Sequence, residues 1–298
     1  MSRRLSRLLT KYGARWALGL ALTLAAVLHV WALVDSDAVE RLDGFLSGLR
    51  MRVEQPVLDP RIVIVDIDEK SLAQVGRFPW SRNIQADLVT RLTRDYKAGA
   101  VGFDISFPEA DNSSGYKVLE KLAREELKDV PGLKPQLAAL EARMDYDGLF
   151  AKAMEGQPVV LGYSVSERQT KGMLPAPAFT AGQLNGREVA AYEPDGYEAN
   201  IARLQQAASG AGIFTALTDA DGVIRSSTLL QRIGDGYYPS LSLATAAVYL
   251  KARAIFPHFE GTADTLSEAE LENGGLDEIV MFTPQRVVKI PVGYGLVT

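Results

Sequence analysis

IVIVDIDEKS, residues 62–71, is the stretch on which the reading of the fold turns. Four β-branched apolar residues, Ile62 to Val65, run into Asp66-Ile67-Asp68. An apolar run of this kind predicts a strand buried on both faces. Carboxylates two residues apart on a strand project from the same face, so Asp66 and Asp68 form a candidate ligand pair at its end.

Working outward, residues 83–99 (NIQADLVTRLTRDYKAG) predict a helix with Ile84, Leu88, Leu92 and Tyr96 on one face and Gly99 as its C-terminal cap. AVGFDISF, residues 100–107, predicts a second strand. Strand, helix and strand at this spacing make a βαβ unit, whose two strands are parallel neighbours. Further along, 117–144 read as a helical hairpin broken at PGLKP, 145–156 as a short helix and 158–166 as a third strand. Residues 212–233 predict a β-hairpin turning at Asp219-Ala220-Asp221-Gly222. A helix follows within 238–254, then strands at 278–282 and 286–292. The expected fold class is α/β, with a mixed, partly parallel sheet flanked by helices.

Composition removes much chemistry. The 298 residues include no cysteine, which excludes disulfides, thiolate catalysis and thiolate-held metals. Only His29 and His258 are available for imidazole chemistry. Five cations and no acid stand in residues 1–15, leaving 27 cations against 37 acids in the rest of the chain. An acidic body of this kind is not a nucleic-acid binder.

Residues 16–34, WALGLALTLAAVLHVWALV, carry no charge, and 19 residues are about the length needed to cross a hydrocarbon core of ~30 Å. Trp16 and Trp31 stand near the ends, and the cationic flank places the N-terminus in the cytoplasm. The expected organisation is a basic cytoplasmic tail (1–15), a transmembrane helix (16–34), a juxtamembrane helix (35–56) and an extracytoplasmic domain (57–298).

Asp66, Asp68 and Asp104 all fall at carboxyl ends of expected parallel strands, where open α/β sheets bind ligands. Three readings are open for them: backbone caps at the next helix or turn, a ligand-sensing role, or a metal-dependent phosphohydrolase. The phosphohydrolase reading lacks its companions, since Asp68 is followed by Glu69-Lys70 and no phosphate-binding glycine loop follows the strand. Arg77, Trp80 and Arg82, in GRFPWSR, either line a pocket for an anion or an aromatic ligand or form a packed corner with the arginines paired to acids.

Read together, these blocks resemble the CHASE2 family, extracytoplasmic sensor modules of bacterial transmembrane receptors. The resemblance is carried by Ile67-Asp68, Ser71-Leu72, Gly76, Phe78-Pro79-Trp80-Ser81-Arg82 and Phe103-Asp104-Ile105-Ser106-Phe107, then by Asp219 to Arg225, Tyr238 to Ala244 and Ile290-Pro291. Phe78 stands where the family pattern has a tryptophan.

The resemblance implies a membrane-anchored sensor in the bacterial inner membrane, without a catalytic residue, metal or cofactor of its own. It implies a homodimer that responds to an extracytoplasmic ligand or partner protein. It also implies either an output domain beyond Thr298, most often an adenylate or guanylate cyclase making a cyclic nucleotide such as cAMP, otherwise a kinase, or a solitary sensor that has lost its output. The family sheet usually continues further, so the domain is expected to be incomplete at its C-terminus. A purely structural assembly module is the remaining alternative.

Overall fold

The computed structural model describes residues 13, 15–24, 26–27, 37–53, 58–218, 222–224, 227–259 and 276–292. The chain divides into two compact units, one of residues 1–65 with 220–225 and one of 66–219 with 226–298.

In the first unit, residues 15–24 are helical, with Trp16, Leu18, Leu20, Leu22 and Leu24 exposed. Helix α1 spans Asp37–Val53 and also exposes its apolar side chains Leu42, Phe45, Leu46 and Leu49. Among the described residues no helix is long and apolar enough to cross a membrane. The expected span 16–34 runs partly outside them, as do His29 and the turn residues Asp219 to Asp221.

Ile62 to Val65 correct the sequence expectation. They form no strand, and their exposures are 75, 77, 88 and 59%. Apolar composition predicts that a segment can be buried, but a strand exists only through a ladder partner, which local sequence does not name.

In the second unit, Asp68 ends the extended segment and caps α2 (Glu69–Val75). Helix α3 (Arg82–Thr90) continues into a wider turn at 91–95, where the Tyr96 N–H donates to the Arg91 carbonyl at 3.0 Å. Lys97, not Gly99, takes the left-handed conformation that closes this helix, with φ 53°. At Gly99 a Cβ would lie 2.7 Å from the half-exposed Tyr249 ring, so a larger residue there would have to displace that ring.

Strand β1 (Val101–Phe103) is followed by α4 (Tyr116–Arg124), α5 (Leu133–Met144) and α6 (Tyr146–Met154). Strand β2 (Val159–Ser166) is the spine of the main sheet. Its first half pairs in parallel with β1, Phe103 opposite Leu161. After the two-residue strands β3 (Thr170–Lys171) and β4 (Phe179–Thr180) comes β5 (Gly196–Glu198), antiparallel to the far end of β2 and parallel to β3. Helix α7 (Ala202–Ala207) leads into β6 (Gly210–Ile213), which runs parallel to β2 on the side away from β1. The mixed, partly parallel sheet is therefore as expected, although β1 ends it where a parallel neighbour was predicted.

The predicted hairpin of 212–233 is a second correction. β6 belongs to the main sheet, whereas β7 (Leu230–Ile233) pairs antiparallel with β8 (Gly236–Pro239), across Gly234-Asp235. Both arms have strand composition, and alternation alone does not say which arms pair. Ser240 caps helix α8 (Leu241–Tyr249) by accepting from the Leu243 N–H. Strands β9 (Ala254–Phe259), β10 (Leu276–Phe282) and β11 (Val287–Pro291) form an antiparallel sheet of three.

Two cores result. One packs Phe103, Phe107, Phe150, Met154, Leu161 and Tyr163 between the main sheet and its helices. Phe103, Phe107 and Phe150 meet edge to face at 5.2–6.1 Å between ring centres, an arrangement that adds to area burial. The other core gathers Phe179, Leu230, Tyr237, Leu243 and Ile279, with Phe179 stacked on Tyr237 at 4.7 Å.

Candidate functional site

The site is built where β1 gives way to Ile105-Ser106-Phe107-Pro108 and faces the corner Phe78-Pro79-Trp80. Between them lies a cavity of about 420 Å3, whose walls also include Arg82, Gln85, Glu109 and Glu198. That volume is in the range of small-molecule sites.

The corner is held locally. The Trp80 indole N–H donates to the Gly76 carbonyl at 2.8 Å, and the Phe78 and Trp80 rings meet edge to face at 6.1 Å. The next residue, Ser81, makes no side-chain cap for α3. Instead the Arg82 backbone N–H donates to Asp111 Oδ2 at 2.7 Å, which satisfies one of the orphan donors of the helix start.

The Arg82 side chain is only 13% exposed and is held by several groups. Its guanidinium lies 4.3 Å over the Phe107 ring, and its Nε stands 3.7 Å from Asp147 Oδ1. That separation is an ion pair without a hydrogen bond, and both atoms are buried without a hydrogen-bond partner. Burial pushes the Arg82 pKa down against the attraction of Asp147 and Asp111. Burial likewise pushes the Asp147 carboxyl up, although the Asp111 N–H and Arg82 oppose it. The shifts agree in sense: the pair is too far apart to repay the desolvation of both charges. Asp111 differs. Burial would raise its carboxyl, but hydrogen bonds from Ser113 and from the Arg82 N–H outweigh that and hold it low.

Gln85 is 1% exposed and lines the cavity one helical turn after Arg82. Neither its Oε1 nor its Nε2 has a hydrogen-bond partner. Asn200, fully buried, ties the structure together from behind. Its Oδ1 accepts from the Phe107 N–H at 2.8 Å, and its Nδ2 donates to the Gly162 carbonyl at 3.1 Å. Glu109 is held from outside by Lys171 at 2.6 Å, and Glu198 has no ion-pair partner among the described residues.

The sequence candidates separate accordingly. Trp80 and Arg82 line the cavity; the pocket and packed-corner readings both describe them, since Arg82 also pairs with an acid. Arg77, Asp66 and Asp104 are exposed and do not line it. Asp68 is a helix cap: its Oδ1 accepts from the Ser71 N–H at 2.8 Å and the Ser71 hydroxyl at 2.6 Å, which holds its carboxyl below the ordinary value. Asp66, Asp68 and Asp104 do not converge on a shared metal position. Among the described residues the group that does bring ligand atoms within 4.8 Å is His258, Asp277 and Glu278, and Glu278 there is paired with Lys289 at 2.5 Å.

Gln85, Asp147, Asn200 and Glu198 escape sequence reasoning. Gln85 alone leaves a trace, a polar residue four before the buried Val89 on the inner face of α3.

Compared with known families, the CHASE2 domain model matches residues 20–292. The chain belongs to the CHASE2 family. A CHASE2 domain is an extracytoplasmic sensor domain rather than a catalytic one, and the blocks that carried the resemblance, FPWSR and FDISF, supply most of the cavity walls. No curated protein and no solved structure is significantly similar to this CHASE2 chain.

Proposed function

We propose that this CHASE2 domain is the input module of a bacterial transmembrane receptor. Residues 16–34 anchor it in the inner membrane with the N-terminus cytoplasmic, and the domain acts as a homodimer outside. The output is a class III adenylate or guanylate cyclase, with a kinase as the alternative. A signal acts by binding one arrangement of the protomers better than another, because only differential affinity shifts an equilibrium.

The observation that carries this reading is the family match over residues 20–292, joined to an uncharged run at 16–34 whose described part is helical with exposed apolar side chains. Side chains of that kind suit lipid or a second helix. The absence of native cysteine makes the test clean. In intact cells, a membrane-impermeant maleimide is expected to label Lys128→Cys and to spare Ser6→Cys until the membrane is opened. Equal labelling of both, or recovery of the chain in the soluble fraction, would remove the anchored reading.

A further inference from the structure

We propose that the cavity beside Trp80 binds an organic cation of the alkylated ammonium class, a trimethylammonium group carried by a free solute or a lipid headgroup. The rings of Phe78 and Trp80 and the Glu198 carboxylate hold it. The inference rests on the sensor reading and adds to it a site and a ligand class.

Two observations converge. The first is the aromatic corner. Phe78 and Trp80 both border the cavity, and their rings stand 6.1 Å apart between centres at 68° to one another. Two rings bordering one space at such an angle form the corner of an aromatic cage, the arrangement that suits alkylated ammonium groups. The Trp80 indole N–H donates to the Gly76 carbonyl, so that ring is held in place before a ligand arrives. The third ring of the lining, Phe107, already carries a cation, the Arg82 guanidinium at 4.3 Å. Among the described residues none lies over Phe78 or Trp80.

The second is charge. Arg82 is the one cation of the lining, and Phe107, Asp147 and the Glu109 carbonyl already engage it. Glu109 and Glu198 add two carboxylates. Lys171 lies opposite Glu198 in the ladder of β3 and β5, so the two side chains leave the same face of the sheet. Lys171 reaches across that face to Glu109 at 2.6 Å, and Glu198 is left without an ion-pair partner among the described residues. With Asp111 and Asp147 behind Arg82, four carboxylates stand around two cations, and an added positive charge is favoured. An anion would meet Glu198 instead. A primary ammonium would bring three N–H donors to a lining with one unpaired carboxylate. Methyl groups on nitrogen need no acceptor and pack on the rings, and about 420 Å3 holds a trimethylammonium group.

The experiment uses the full 298-residue chain in a maltoside detergent, which carries no ammonium group, with thermal melting and calorimetric titration at constant ionic strength. Choline and glycerophosphocholine are the probes, for a free solute and a lipid headgroup. 3,3-Dimethylbutanol keeps the shape of choline with carbon in place of the charged nitrogen, and benzoate reports on anions. Choline or glycerophosphocholine is expected to bind saturably at millimolar concentration and raise the melting midpoint, and the two controls are not. The tighter of the two probes names the source, and equal affinity assigns recognition to the trimethylammonium group alone. Glu198→Gln and Phe78→Leu are each expected to weaken binding by roughly three- to thirtyfold, the range of one cation–π or charge contact. Glu198→Gln is expected to leave the free protein's midpoint within a few degrees, since that carboxylate has no ion pair to lose among the described residues.

The proposal is overturned if neither probe binds, if dimethylbutanol matches choline, if benzoate binds instead, or if either variant binds like the wild type. Should Phe78→Leu fail to fold, Glu198→Gln and the wild-type preference for choline over dimethylbutanol decide. This assay depends on neither topology nor output, so its failure leaves the anchored-sensor reading standing. A chain that binds choline but is mislocalised fails the other reading alone.

Discussion

Asn200 accepts a hydrogen bond from the Phe107 backbone N–H at 2.8 Å, across 93 residues of sequence and with no exposure to water. The same side chain donates to the Gly162 carbonyl on β2 and, at 3.4 Å, to Gln205 on α7. One amide thus fixes where the chain leaves β1 and with it the aromatic wall of the cavity.

Replacing Asn200 is therefore expected to cost more than its size suggests. Asn200→Leu leaves the Phe107 N–H and the Gly162 carbonyl buried without this partner, at ~1–3 kcal/mol each. Urea unfolding is expected to show a loss of about 2–4 kcal/mol, with the slope unchanged. A loss below about 0.5 kcal/mol, the level of ordinary surface substitutions, would show that the bridge is dispensable.

Arg82 and Asp147 form a buried pair without a hydrogen bond between them. Arg82→Leu and Asp147→Leu each strand one charge or remove its neighbour and are expected to destabilise by ~2–4 kcal/mol. The double variant is expected to be more stable than the sum of the single losses predicts, by about 1–3 kcal/mol. Strict additivity in a double-mutant cycle would mean that the two side chains do not act as a pair.

The two carboxylates beside Arg82 shift in opposite directions, so their effects on stability separate by pH. Asp147 is raised above its ordinary value of 3.8, so the folded state binds its proton more tightly. Its contribution is fully present below 3.8 and is lost as pH rises through the folded value. Asp111 is lowered, so its contribution is present above 3.8 and is lost as pH falls through the folded value. Asp147→Asn is expected to flatten the decline of stability on the neutral side, and Asp111→Asn the decline on the acid side. Denaturation midpoints measured across the acid range check both; parallel curves for all three proteins would refute the assignment.

Gly212 lies on β6 under α8, and a Cβ there would stand 2.6 Å from the Leu241 Cα, inside contact distance of backbone that cannot rotate away. Gly212→Ala is expected to lower stability by about 1–3 kcal/mol through overpacking. Gly186→Ala makes a useful contrast: open space surrounds that position, and only the strain of its φ of 83° opposes the change. A thermal melt that ranks Gly212→Ala as the milder variant would contradict the packing.

Ile62 and Ile64 are 75 and 88% exposed, unlike the buried strands of the domain. Exposed apolar side chains in succession are the kind of surface that a second copy would cover under the homodimer reading. With the proposed homodimer, Ile62→Lys/Ile64→Lys is expected to lower self-association in sedimentation while leaving the melting midpoint of the domain within a few degrees, since no native core contact is lost. A fall in midpoint with unchanged association would place these residues in the core instead.

The sequence alone determined the α/β class, most helices, strand β2 and the family, because apolar periodicity, turn residues and the motifs FPWSR and FDISF are local properties; that the two motifs face one another across a cavity was decided by the tertiary structure. Tertiary structure decided the pairing. It left Ile62–Val65 without a ladder, sent β6 to β2 and β7 to β8, and made Lys97 rather than Gly99 the left-handed residue. It also assembled the polar interior, Gln85 against the cavity, Asp147 beside Arg82 and Asn200 beneath Phe107. The physical reason is common to all of these. Whether a polar group is satisfied, and which strand a strand pairs with, depends on partners tens of residues away, and no local pattern names them.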